Sequence, residues 1–152
     1  MAEIDLKIKS RDIDTLVEVI KKNVPDADIE LVRKVYNYTE KSHREQFRLS
    51  GEPYIIHPLE VSIILAGMGL DTTTITAALL HDVVEDTGST LEDIRRLFGE
   101  EIALLVDGVT KISSLKKQSK SIEQAHNLRK MLLATIKDVR VILIKLADKL
   151  HN

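Results

Sequence analysis

The stretch His81-Asp82-Val83-Val84-Glu85-Asp86 constrains this chain more than any other, because it follows the apolar run Ile75-Thr76-Ala77-Ala78-Leu79-Leu80. Charged groups are rarely fully buried unless they are paired or bound to a metal. Four ionisable side chains are therefore a costly way to finish a core helix. Residues of a helix advance by about 100° each, so His81 and Glu85 share one face, as do Asp82 and Asp86. One helix end then gathers an imidazole and three carboxylates. The economical reading is a divalent metal ion with an acid or base group beside it.

Composition narrows what such a site can be built from. At 152 residues, 43% apolar and 30% charged, the chain is the size of one globular domain with a real core. It contains no cysteine, so disulfides and thiolate metal sites are excluded and any metal must use histidine and carboxylate. A net charge of −2 and only five aromatics (three Tyr, two Phe) speak against nucleic acid as a partner. They also speak against an anionic membrane surface. The N-terminal segment Met1-Ala2-Glu3-Ile4-Asp5-Leu6-Lys7 lacks the apolar core of a signal peptide. No apolar run approaches the ~20 residues that span a bilayer, so the cytoplasm is the expected location.

Helical periodicity dominates, and the expected fold class is an all-α bundle. Leu16, Val19 and Ile20 outline a short helix ending before Pro25. Asp28 caps a longer one running toward Phe47. Ser50 to His57 reads as a loop, with Pro58 at the first position of the next helix, which stops near Gly67. Asp71 caps a central helix expected to run unbroken from Thr72 to Glu85. Thr90 with Asp93 forms a capping box that opens a helix to Gly99. A further helix covers Glu100 to Lys111, and the polar, basic stretch Ser113 to Lys120 reads as a mobile loop. Ser121 with Gln124 is a second capping box, starting a helix to about Ile136. Asp138 caps the last helix, from Val139 to at least Asn152. That helix has no Gly or Pro stop signal, so residues 1–152 are expected to be one domain cut from a longer protein, with weaker turnover than the longer chain.

Two more residues complete a candidate site. His57 stands at the loop-to-helix junction and Asp148 on the last helix. Taken singly, a histidine before proline is commonly a cap or a surface residue, and Asp148 has Lys145 and Lys149 within helical reach. Together, His57, His81-Asp82 and Asp148 match the four-part pattern of the HD metal-dependent phosphohydrolases. The run His43 to Pro58, the stretch His81 to Thr87, the segment Val106-Asp107-Gly108-Val109-Thr110-Lys111-Ile112 and the stretch Asp138 to Asn152 narrow the likeness. They resemble the hydrolase domain of RelA/SpoT-type enzymes, which make and break guanosine tetra- and pentaphosphate, (p)ppGpp.

That resemblance implies an HD-domain helical bundle and a Mn²⁺ ion held by His57, His81, Asp82 and Asp148. The donor types alone equally suit Fe²⁺ or Zn²⁺. It also implies that Glu85 and Asp86 activate or orient the attacking water, and that Arg48, Ser50 and Asn152 contact the nucleotide. The implied reaction is (p)ppGpp 3′-pyrophosphohydrolysis, releasing pyrophosphate and leaving GDP or GTP. A synthetase domain in cis is implied for a longer parent. Leu49 departs from the family pattern, which often carries lysine there. Lys116, Lys117 and Lys120 read as a solvated linker, and His43, His126 and His151 as structural or surface residues. Two other classes compete: a different HD nucleotide phosphohydrolase, and a non-catalytic nucleotide-binding module.

Overall fold

A computed structural model describes residues 12–118, 126, 129 and 138–151. Among them the fold is all-α, the one extended pairing being an isolated antiparallel bridge between Phe47 and Pro53. The helices are α1 (Ile13–Asn23), α2 (Ile29–Ser42), α3 (Ile56–Gly67), α4 (Thr72–Leu80), α5 (Val83–Asp86), α6 (Leu91–Phe98), α7 (Glu100–Gln118) and α8 (Val139–His151). The Ser121–Gln124 capping box lies outside the described residues, as do Asn152 and all of the helix that box opens but His126 and Arg129, which are helical.

Several ends form where a short polar side chain can satisfy orphan backbone N–H groups. Asp12 accepts from the Thr15 amide at 2.9 Å, and Asp28 from that of Leu31 at 3.0 Å. Thr90 and Asp93 form the expected reciprocal capping box. Asp138 accepts from the Arg140 amide at 2.9 Å. Asp71 holds the cap position of α4, but its carboxylate is diverted to the Thr74 hydroxyl and to Arg140. Arg140 also reaches Glu101 and Asp138, so one guanidinium ties together the N-terminal ends of α4, α7 and α8.

Four expected boundaries are corrected. The long helix from Asp28 stops at Ser42 instead of running toward Phe47, because His43 and Gln46 close a turn through Gln46 N–H to the His43 carbonyl. The helix expected to start at Pro58 begins at Ile56. Pro58 is then in the third position, still inside the first turn where a missing N–H costs nothing. The central helix is broken at His81–Asp82: His81 N–H bonds Ala78 instead of the carbonyl four residues back, and Asp82 takes φ −102°, ψ −2°. Finally, the expected loop from Ser113 is helical through Gln118. Its first hydroxyl, on Ser113, accepts from the Lys145 ammonium at 3.0 Å, and Ile112 before it is buried.

Helix α4 is the axis of the bundle. Every residue from Thr74 to Leu80 is buried, because α2, α3, α7 and α8 pack around it. Ile75, Leu79 and Leu80 meet Leu59 and Leu65 of α3, Val32 and Val35 of α2, Val106 and Val109 of α7 and Ile144 of α8 in one cluster. The helix therefore delivers His81 into the interior rather than to solvent.

The closest approach of α7 to α8 is set by Gly108. A Cβ placed there would lie 2.8 Å from Val141 Cγ2, well inside van der Waals contact. Gly108→Ala should therefore destabilise the domain by about 1–3 kcal/mol, the usual cost of overpacking. Pairing it with Val141→Ala should recover part of the loss. A single mutant as stable as the parent in urea denaturation would show that the two helices are not held at this spacing.

Candidate metal centre

Three segments converge at the buried end of α4. His57 comes from the first turn of α3, His81 and Asp82 from the break between α4 and α5, and Asp148 from the last turns of α8. One ligand atom from each of the four residues lies within 4.8 Å of all the others. Asp148 Oδ1 is 2.6 Å from His57 Nε2 and 3.3 Å from His81 Nε2, while Asp82 Oδ2 is 3.1 Å from His81 Nε2 and 4.0 Å from His57 Nε2. His57, His81 and Asp148 are buried, and Asp82 nearly so. All four residues singled out in the sequence as ligands are thus brought together.

Neighbouring groups orient each of them. The His81 ring uses Nδ1 to donate to the Ala78 carbonyl at 2.5 Å, which leaves Nε2 as the atom facing the cluster. Lys145 donates to Asp148 Oδ2 at 2.9 Å, so Oδ1 alone faces the two imidazoles. The local lysine pairing and the ligand role of Asp148 therefore coexist, one on each oxygen. The Tyr54 hydroxyl lies 2.8 Å from Asp82 Oδ2 and 3.1 Å from Asp86 Oδ2, donating its single proton across both. His57 Nδ1 is 2.7 Å from His151 Nδ1. Partners of this kind fix ring orientation and tautomer in metal sites.

The electrostatics follow from this packing. Burial alone would push the His81 imidazolium down, but the adjacent Asp82 charge and the hydrogen bonds that His81 donates to Asp148 and Asp82 outweigh it and raise it to about 10. Burial would raise Asp82, yet His81 and the Tyr54 hydroxyl hold it at about 2. Asp148 is likewise held well below the carboxylate range, burial being overcome by hydrogen bonds from His57, His81 and Lys145. Burial, reinforced by the charges of Asp82 and Asp86, pushes the Tyr54 hydroxyl well above its ordinary range, so it remains a donor. Two carboxylates held ionised opposite two imidazoles form a donor set that suits a divalent cation.

Of the remaining expected site residues, Asp86 meets Tyr54 beside this centre and Arg48 reaches His151 next to His57, whereas Asn152 lies outside the described residues. Glu85 and Asp86 are on the single turn α5. The Asp86 backbone carbonyl accepts from the Gln46 amide at 2.6 Å, and Gln46 in turn accepts from His43 Nδ1 at 2.8 Å. His43 is buried with its ring against Tyr54, centroids 4.6 Å apart. Arg48 and Ser50 sit in a tight loop closed by Arg48 N–H to the Glu52 carbonyl and Gly51 N–H to the Arg48 carbonyl, both at 2.8 Å. Gly51 takes φ +89° there, which favours glycine. A cavity of about 580 Å³, lined by Phe47, Arg48, Leu49, Ser50, Glu52 and Tyr54, opens along this loop. Leu49 is fully exposed at its edge.

Sequence reasoning missed Tyr54, Gln46, His43 and His151, but named Lys145 as a partner of Asp148. Of the four, His151 carried a signal, three residues after Asp148 on its face of α8. Tyr54 and Gln46 act through long-range contacts, and His43 through Gln46 and Tyr54.

The HD-domain family model matches residues 35–152 of this chain. The chain belongs to the HD-domain family. Among curated relatives, the protein named GTP pyrophosphokinase rsh from Brucella melitensis is 53% identical over 137 residues, spanning 90% of this chain and 18% of the relative. The bifunctional (p)ppGpp synthase/hydrolase SpoT of Escherichia coli is 49% identical over 139 residues, or 91% of this chain and 20% of that protein. This HD domain therefore spans about a fifth of the length of the relatives it matches. A solved structure described as a metazoan ortholog of SpoT that hydrolyzes ppGpp superposes with a TM-score of 0.64 at 37% identity, covering 80% of this chain and 67% of that one.

A proton and a metal ion compete for His81 Nε2. Because His81 is held at about 10, a divalent ion must displace a proton at neutral pH. Its apparent affinity should climb as pH rises toward that value, by up to about tenfold per unit for each proton displaced. Mn²⁺ titrations between about pH 6.5 and 8.5 should show this slope with proton release into weak buffer. A flat profile would mean that the ion binds elsewhere.

Proposed function

We propose that this HD domain is a Mn²⁺-dependent (p)ppGpp 3′-pyrophosphohydrolase, converting ppGpp and water to GDP and pyrophosphate and pppGpp to GTP and pyrophosphate. The observation that carries the reading is the juxtaposition of the four-ligand cluster with the Arg48–Ser50 loop through Tyr54. That residue touches Asp82 on one side and lines the loop cavity on the other. The relatives named for (p)ppGpp hydrolysis support the choice of substrate.

His57, His81, Asp82 and Asp148 would hold the ion. A divalent ion there supplies Lewis acidity, lowering the pKa of water and neutralising phosphoryl charge. The chain's own residues do the rest. Glu85 accepts the proton of the attacking water, and Asp86, braced by the Tyr54 hydroxyl and by Gln46 on its carbonyl, orients that water. The bond from the ribose 3′ oxygen to phosphorus breaks, and the 3′ oxygen takes up a proton. Arg48 and Ser50 meet phosphate oxygens, guanidinium forks being well matched to them, and Asn152 contacts the nucleotide. A cavity of about 580 Å³ is within the size range of small-ligand sites.

Among the described residues no helix is long and apolar enough to cross a membrane, which supports a cytoplasmic setting. The bifunctional name and the greater length of the Escherichia coli relative support a synthetase domain joined in cis in a longer parent.

The test is an assay supplied with Mn²⁺ and offered ppGpp, GTP and cyclic nucleotides in turn. Pyrophosphate should be released from ppGpp alone. His81→Ala should abolish release, and Glu85→Gln should reduce it by about 100-fold or more, the range of a lost general base. Full activity in Glu85→Gln would remove that carboxylate from the mechanism. Equal cleavage of GTP would replace the proposed substrate with nucleotides in general.

A further inference from the structure

His151 lies on the same face of α8 as Asp148, three residues on, with its imidazole set edge to edge with that of His57, centroids 4.9 Å apart and planes 30° from parallel. Its Nδ1 faces two groups: His57 Nδ1 at 2.7 Å and Arg48 Nη1 at 3.5 Å. A guanidinium nitrogen can only donate, so the nitrogen it points at must be an acceptor. His151 Nδ1 is therefore unprotonated, and the short contact to His57 requires the proton to sit on His57 Nδ1. With Nδ1 engaged in this way, the ring turns Nε2 toward Asp148 and the cluster, where it donates to Asp148 Oδ1 at 2.6 Å and where a metal ion would take the place of that proton. From this geometry we infer that His151 is a positioning residue: it accepts the His57 Nδ1 proton, holds the ring with Nε2 toward the metal, and links that ligand to Arg48 of the nucleotide loop.

The arrangement parallels the one at His81, whose Nδ1 donates to the Ala78 carbonyl. There the acceptor is backbone and no substitution removes it; at His57 it is a side chain, and α8 supplies both the ligand Asp148 and the acceptor His151. This inference rests on the four residues binding a metal, but not on the identity of the nucleotide.

The experiment measures Mn²⁺ affinity of the 152-residue chain from the free-ion electron paramagnetic resonance signal. It compares the parent with His151→Leu and His151→Asn, with thermal melts of each without metal. Leucine keeps bulk without an acceptor, whereas the asparagine Oδ1 stands near the place of the histidine Nδ1. Removing an outer-shell partner of this kind weakens metal binding by about 10–100-fold. His151→Leu should show that loss at an unchanged melting temperature, and His151→Asn should restore most of it. Equal affinity in parent and His151→Leu would overturn the inference, as would a loss that asparagine fails to repair. A parent that binds no Mn²⁺ would overturn the metal reading itself, and the role of His151 with it. If His151→Leu fails to fold, nitrogen-15 spectra of the parent with Zn²⁺ decide: His57 should be protonated at Nδ1 and His151 unprotonated there, and the opposite pattern would refute the assignment.

Discussion

Two imidazoles and two carboxylates facing one another at the end of a buried helix would cost several kcal/mol of desolvation per charge if left uncompensated. Here each charge has an opposite within hydrogen-bonding distance: Asp148 Oδ1 meets both histidines and Asp82 meets His81. The compensation is good enough to hold both aspartates ionised and His81 cationic far above its ordinary range. It is also a balance that a divalent cation can take over, displacing the proton from His81. The rest of the domain can be understood as the frame that keeps these four groups face to face.

That frame is made mainly of apolar packing. Helix α4 is buried on all sides and so cannot move without exposing core. It fixes His81, and the break just after it redirects Asp82 and the α5 turn toward Tyr54. Helix α8 must come close enough to α7 to place Asp148, which is why a glycine faces Val141 at the crossing. The Arg140 clamp then anchors the start of α8 to two other helix ends, with the exposed members of the network adding registry more than stability.

How far the sequence revealed this depends on the range of the interactions. The run from Ile75 to Leu80 followed by His-Asp betrayed a buried polar site by burial cost alone, because that cost is local to the segment. The capping box at Thr90 and Asp93 was legible for the same reason. His57 and Asp148 were ambiguous singly and acquired meaning only through the resemblance, since nothing in their own neighbourhoods says that they meet. The break at His81–Asp82 was missed because helical periodicity assumes an uninterrupted ladder, whereas the His81 ring and its own amide both turn to the Ala78 carbonyl. The stretch after Lys111 looked like a loop because its hydroxyls and lysines appeared unpaired; Ser113 finds Lys145, 32 residues away in sequence. Tyr54, Gln46 and His151 gain their roles from contacts about as remote or more so.

Anomalous scattering from crystals grown with Mn²⁺ decides whether these four side chains form one metal centre. A single strong peak is expected about 2.1 Å from His57 Nε2, His81 Nε2, Asp82 Oδ2 and Asp148 Oδ1, a distance typical of nitrogen and oxygen ligands to such ions. A peak elsewhere, or an ordered cluster with the ion excluded at saturating concentration, would rule that centre out.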